Sequence, residues 1–193
     1  MIFSNTISKE DVAAMPKEVF SGEIVVVNTK EELSKAIEYL SAFSMIGFDT
    51  ETRPSFSKDK HYKMSLIQLS TEDICFLIRL NKFKKFPKML ETLLKNKNVK
   101  KIGLSLRDDF NGLQYLTTVS PENFIDLQDY VPQFGIEELS LRKIYAILFG
   151  KKISKSKQKS NWEVDFLSST QMKYAALDAW SCLRIFQYLE RSK

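Results

Sequence analysis

Short apolar runs of four to seven residues, set between stretches of helical periodicity, restrict this 193-residue chain more than any other feature. Glu23–Asn28 (EIVVVN) reads as a short strand, and Thr29 is placed to cap a helix over about Lys30–Phe43. Met45–Thr50 (MIGFDT) reads as a buried strand. Met64–Ser70 and Ile74–Ile78 read as two more, joined tightly through Thr71–Asp73 as a hairpin. Lys82–Lys95 keeps helical spacing despite Pro87. Val99–Leu104 is a further apolar strand, leading through Ser105 into a helix that ends near Leu116. Phe124–Leu127 is taken as the fifth core strand. The last third is helical, over Ile136–Phe149 and Gln171–Glu190, with Ser168 and Gln171 at capping-box spacing. Strands first, then strands alternating with helices, then a helical tail predict a three-layer α/β fold with a five-stranded mixed sheet.

Such a sheet needs apolar residues to fill both of its faces, and 44% of the chain is hydrophobic. One domain over residues 1–193, with its core at about 23–188, is therefore expected. Cys75 and Cys182 are too few for a disulfide framework or a thiolate zinc site, which points to a reducing, cytoplasmic setting. The single histidine, His61, excludes any mechanism that needs two. The first twenty residues carry acids early and lack the apolar centre of a signal peptide. No stretch is long and apolar enough to cross a bilayer, so no membrane partner is expected.

Lys+Arg outnumber Asp+Glu by 29 to 24, a net charge of +5 that hints at a polyanionic partner. The lysines are clustered: eight lie between Lys82 and Lys101, and five lie in Lys151–Lys159 (KKISKSKQK). Solvated surface and phosphate-contacting loop are both open readings of these runs.

Three groups of carboxylates carry more information. Asp49 and Glu51 end the strand MIGFDTE, and residues two apart on a strand share a face. Two like charges side by side need a basic neighbour, for which Arg53 is placed, or a bound cation. Tyr174 and Asp178 are four apart on the last helix and share its face, with Ala175 and Ala176 allowing close approach to another element. The stretch KKIGLSLRDDFNGL holds Asp108 and Asp109 at the start of a helix. Adjacent helical residues point about 100° apart, so only one of them can face a given site. Asp109 lies nearer the core-facing set Leu106, Phe110 and Leu113. Four acids without partnering histidines or cysteines suit a hard cation with oxygen ligands, Mg²⁺ or Mn²⁺. Asp126 and Asp129 also resemble a pair, but a strand end followed by a helix cap accounts for them. Trp162 and Trp180 read as core anchors, and both cysteines as buried thiols.

The ordered set Asp49-x-Glu51, Asp109 and Tyr174-x-x-x-Asp178 resembles the DEDDy-type 3′–5′ exonucleases, which include ribonuclease D and the Werner syndrome exonuclease domain. The run LIQLS at Leu66–Ser70, the stretch KKIGLSLRDDFNGL and the segment SNWEVDFLSSTQMKYAALDAW extend the resemblance over about Glu23 to Tyr188. It implies a ribonuclease H-like fold and hydrolysis from the 3′ end with release of nucleoside 5′-monophosphates. It also implies two divalent cations, with Asp49, Glu51 and Asp178 holding one and Asp109 acting on the second. Tyr174 would orient the attacking water. Single-stranded or 3′-recessed nucleic acid is the implied partner, with the Werner-type likeness leaning toward DNA over RNA. The alternative is a nucleic-acid-binding module of the same fold with weak or no activity. Arg53, Lys60, Lys63 and Met64, between the first motif and the next strand, are candidate substrate contacts. The length leaves no room for further binding domains, so a free-standing catalytic domain, or one that borrows binding from a partner, is expected.

Overall fold

The computed structural model describes residues 3–55, 62–154 and 156–193, so the Lys60 and His61 readings fall outside the described residues. In chain order the elements are α1 (Lys9–Ala14), β1 (Glu23–Val27), α2 (Lys30–Ser41), β2 (Met45–Thr52), β3 (Met64–Ser70), β4 (Ile74–Arg79), α3 (Lys88–Lys95), β5 (Lys100–Gly103), α4 (Leu106–Gln114), β6 (Phe124–Asp126), α5 (Leu127–Tyr130), α6 (Leu141–Phe149) and α7 (Ser169–Arg191). Short 3₁₀ turns follow β4 and α5.

The sheet is mixed, in the order β1-β4-β3-β2-β5-β6. Strands β2, β3 and β4 form an antiparallel meander, while β1, β5 and β6 join in parallel. Six strands rather than five make up this sheet, because β1 hydrogen-bonds to β4 along its whole length as an edge strand. Every residue of central β3 is buried, as expected of a strand covered on both faces. One face packs on α6 and α7 through Leu66, Leu77, Ile102, Ile144 and Leu183. The other packs on α2, α3 and α4 through Ile46, Phe48, Ile67, Leu69, Leu90 and Leu113. The fold is thus a three-layer α/β arrangement.

Several boundaries move for local reasons. The helix expected from Lys82 begins at Lys88, because Pro87 disfavours helical geometry at the residue before it and itself holds the cap position. The helix expected from Ile136 begins at Leu141, where the Ser140 hydroxyl accepts from the Lys143 amide. The two capping boxes form as spaced: Thr29 with Glu32, and Ser168 with Gln171. Helix α1 carries no strong sequence signal; its cap, Ser8, accepts from Asp11 at 2.9 Å.

Long helix α7 crosses the middle of the sheet, against β2, β3, β4 and β5. Small residues permit this. A Cβ on Gly47 would lie 2.0 Å from the Ala179 carbonyl oxygen, so β2 and α7 touch at a position where only glycine fits. Ala175, Ala176 and Ala179 are fully buried at the same contact.

Candidate active site

The end of β2 and the middle of α7 bring Asp49, Glu51 and Asp178 together, each offering a carboxylate oxygen within 4.8 Å of the others. The alternation of β2 sends Asp49 and Glu51 to the face that α7 covers, and the Gly47 contact with Ala179, the residue next to Asp178, sets how closely Asp178 approaches. Asp109 enters from α4, where its carboxylate accepts a hydrogen bond from the Thr50 hydroxyl. Asp108 is exposed, so the site meets the second acid of the pair and not the first.

The start of α4 aims Asp109. Ser105 enters the helix with φ 61°, a left-handed conformation that costs free energy for a residue with a side chain. Asp126 stabilises it by accepting from the Ser105 and Leu106 amides at 2.9 and 2.7 Å, and from Gln128 at 2.9 Å to cap α5. Asp126 is therefore a structural cap, as its sequence context implied.

Among the described residues no ion pair balances Asp49, Glu51 or Asp109. Burial, followed by the charges of Asp178, Glu51 and Asp109, raises Asp49 well above the usual carboxylate range. Burial and then Asp178 and Asp109 push Glu51 up to about 9. Burial pushes Asp109 up to about 6, against the stabilising Thr50 hydroxyl. Buried carboxylates that repel one another and have no cation among them form an oxygen-rich site fitted to a hard divalent ion. The chemistry of the donor set and its crowding both meet that requirement.

Tyr174 is half-buried, packed in a tilted arrangement at 6.2 Å between ring centroids against the fully buried Trp162, and hydrogen-bonded to Asp178. Burial and the surrounding carboxylates raise its pKa, which keeps the phenol protonated. A cavity of about 390 Å³ opens over Asp49, Glu51, Tyr174 and Asp178, walled by Arg142 and Gln158. Arg53, just beyond β2, is not a free cation. It pairs with Glu163 at 3.5 Å and lies over the Tyr62 ring at 4.7 Å. Lys63 stands outside this cavity, and Met64 is buried at the head of β3, with space left for it by Gly112.

Four residues of the site were not legible as such. Thr50, between the two acids, holds Asp109. Trp162 has no formed hydrogen bond on its indole N–H, yet lies close enough to Glu51 to lower its pKa against the burial effect. Arg79, buried, donates to the Val164 carbonyl and to that of Asp165 at 2.6 Å, pinning the loop that carries Trp162 and Glu163. Gln68, registered opposite Asp49, is fully buried with both amide atoms unpartnered among the described residues. Its signal was available: a lone amide inside the apolar run LIQLS.

Residues 24–192 match the 3′-5′ exonuclease family, and the chain belongs to it. Mouse bifunctional 3′-5′ exonuclease/ATP-dependent helicase WRN is 34% identical over 155 residues, covering 78% of this chain and 11% of that protein. The exonuclease mut-7 homolog of Aedes aegypti is 30% identical over 190 residues, covering 86% of this chain and 26% of the relative. The chain thus spans a minor part of the length of these relatives. The crystal structure of the Aedes aegypti Nibbler EXO domain superposes with a TM-score of 0.79 at 26% identity, covering 90% of this chain and 91% of that one. Escherichia coli RNase D shares the fold, with a TM-score of 0.77 at 22% identity over 88% of this chain and 46% of that one. Among the described residues no helix is long and apolar enough to cross a membrane.

Proposed function

We propose that the chain removes nucleotides one at a time from the 3′ end of a single-stranded or 3′-recessed nucleic acid, as a DEDDy-type enzyme. The observation that carries this is the convergence of Asp49, Glu51 and Asp178 within 4.8 Å, with Asp109 tied in through Thr50 and Tyr174 beside them. Two divalent cations, Mg²⁺ or Mn²⁺, held by Asp49, Glu51, Asp178 and Asp109, would stabilise the attacking and leaving oxygens of an in-line displacement. The four carboxylates would hold these ions, with Thr50 orienting the Asp109 oxygen for that role. Tyr174 positions the attacking water through its hydroxyl. Its raised pKa fits an orienting hydrogen-bond group rather than a phenolate base. Trp162 and the Asp178 carboxylate hold the ring in place. Phosphate contacts fall to Arg53, once it exchanges Glu163 for the backbone, and to Lys63. Met64, being buried against Gly112 of α4, supports the floor rather than meeting the terminal base. The product is a nucleoside 5′-monophosphate. DNA is taken as slightly favoured over RNA, from the likeness to WRN. Two free buried cysteines suit a reducing cytoplasmic setting.

The test uses end-labelled single-stranded and recessed DNA and RNA with Mg²⁺, Mn²⁺ or EDTA. Shortening from the 3′ end that needs the metal and is lost in Asp49→Ala is expected. Asp109→Asn should abolish turnover, whereas Asp108→Asn should not. An absence of metal-dependent shortening on every substrate would leave the binding-module alternative.

A further inference from the structure

Beyond the active-site cavity lies a larger groove of about 680 Å³, bounded by the turn after β4, the start of α3 and the segment that follows α4. Four lysines line it: Lys63, Lys84, Lys85 and Lys88. None forms an ion pair with a described residue, unlike other lysines of the same sequence cluster. Lys82 pairs with Asp165, Lys97 pairs with Glu122, and buried Lys101 donates to the Asn96 and Val99 carbonyls at 2.8 Å. The groove's two acids are engaged: Glu91 accepts from the Thr117 hydroxyl at 2.5 Å, and Glu163 holds Arg53. Four lysines against Glu91 and a Glu163 already paired with Arg53 leave the groove net positive among the described residues. Tyr115 stands on the rim and is 80% exposed, an aromatic face turned to solvent beside those lysines.

The groove is a separate cavity that adjoins the site through β3 and the Arg53–Glu163 pair. Lys63 and Met64 lie at its inner end, and Leu66 on the same strand is registered opposite Glu51. At about 3.3 Å per residue, Lys63, just before β3, lies within about 10 Å of chain from that point. Glu163 belongs to the groove while its partner Arg53 follows the metal-site strand.

We infer that this groove binds the single strand upstream of the terminal nucleotide, with Lys63, Lys84, Lys85 and Lys88 on its phosphates and Tyr115 stacked on an unpaired base. The inference rests on the exonuclease reading and adds to it a preference for 3′ ends with several unpaired nucleotides. Unpaired cations along a groove track a backbone, and an exposed aromatic ring takes the face of any base without regard to sequence. A duplex presents no open base face to Tyr115, so the chemistry favours a single strand.

The measurement is fluorescence anisotropy of the full chain in Ca²⁺ with a single strand of about a dozen nucleotides. A Lys84→Ala, Lys85→Ala, Lys88→Ala variant is expected to bind at least about tenfold more weakly. Its log K against log salt should be shallower by about 2, the loss of three single-strand phosphate contacts. Tyr115→Ala should bind about fivefold more weakly, at an unaltered salt slope. A charge-matched Lys9→Ala, Lys30→Ala, Lys35→Ala variant should bind like wild type. Circular dichroism of each variant confirms that folding is retained. Turnover of a dinucleotide, too short to reach the groove, separates the two readings. If wild type hydrolyses neither the dinucleotide nor the longer strand, the exonuclease reading falls. If it hydrolyses them and the triple-lysine variant binds the longer strand as wild type does, the groove alone is overturned. Blunt duplex bound as tightly as single strand would also overturn it.

Discussion

Replacing Asp178 by Asn tests whether the site is built for cations at the expense of stability. The asparagine keeps the shape and an oxygen to accept from Tyr174 but removes one of three charges that meet within 4.8 Å. At that separation and an effective dielectric of about 20, two ionised carboxylates repel by about 3.5 kcal/mol. Protonation already relieves part of this. Asp49 and Glu51 are both raised, Glu51 to about 9, with the Asp178 charge, after burial, among the causes at each, so removing that charge relieves both. Desolvation, the largest cause at Asp49 and Glu51, persists in the variant. A weaker hydrogen bond to Tyr174 removes about 0.5–1 kcal/mol more of the gain. Asp178→Asn should therefore unfold about 2 kcal/mol later than wild type in EDTA near pH 8, read as a higher urea midpoint at unchanged slope. In saturating Mg²⁺ the order should reverse, since only wild type keeps its full ligand set and gains from binding. A destabilised variant in EDTA, or a wild type indifferent to Mg²⁺, would refute the reasoning.

The pKa shifts predict a pH trend of definite sign. Glu51 goes from 4.5 to about 9 and Asp109 from 3.8 to about 6 on folding, so across those windows the folded protein holds protons that the unfolded chain has lost. Stability in EDTA should thus fall as pH rises toward 9, and thermal melts in Mg²⁺ should lose that slope. Glu163→Gln should free Arg53 for phosphate and lower KM about two- to fivefold at constant kcat, because a half-exposed pair at 3.5 Å is worth at most about 1 kcal/mol; an unchanged KM would contradict the exchange. Gly47→Ala should cost about 3 kcal/mol or more, since its methyl would meet the Ala179 carbonyl at 2.0 Å. Whatever folds should show weakened Mg²⁺ affinity by calorimetry, because α7 must shift and take Asp178 with it.

The strands were readable because their apolar runs are short and bounded, and β3 shows this best: all seven residues are buried between two helical layers. Boundaries that depend on one residue's backbone were less readable. Pro87 delays α3, and Ser140 rather than the apolar Ile136 starts α6. The place of β1 at an edge of the sheet follows from its pairing with β4, a contact some fifty residues away that periodicity does not encode.

The candidate site divides in the same way. Spacing along one element places Asp49 beside Glu51 and Tyr174 beside Asp178, because strand and helix repeats fix which side chains share a face. Helical angle limits the adjacent aspartates to one, but which one faces the site depends on how Ser105 and Asp126 aim α4. The ion pair that occupies Arg53, the Arg79 clamp on the Trp162 loop and the groove that collects three of eight clustered lysines all join distant segments. The sequence by itself therefore determined the layers, the chemistry of the acids and the family. Tertiary structure alone decided which charges are spent on one another and which remain open to a ligand. Charge pairing is set by packing distances between elements, and no repeat within an element carries those distances.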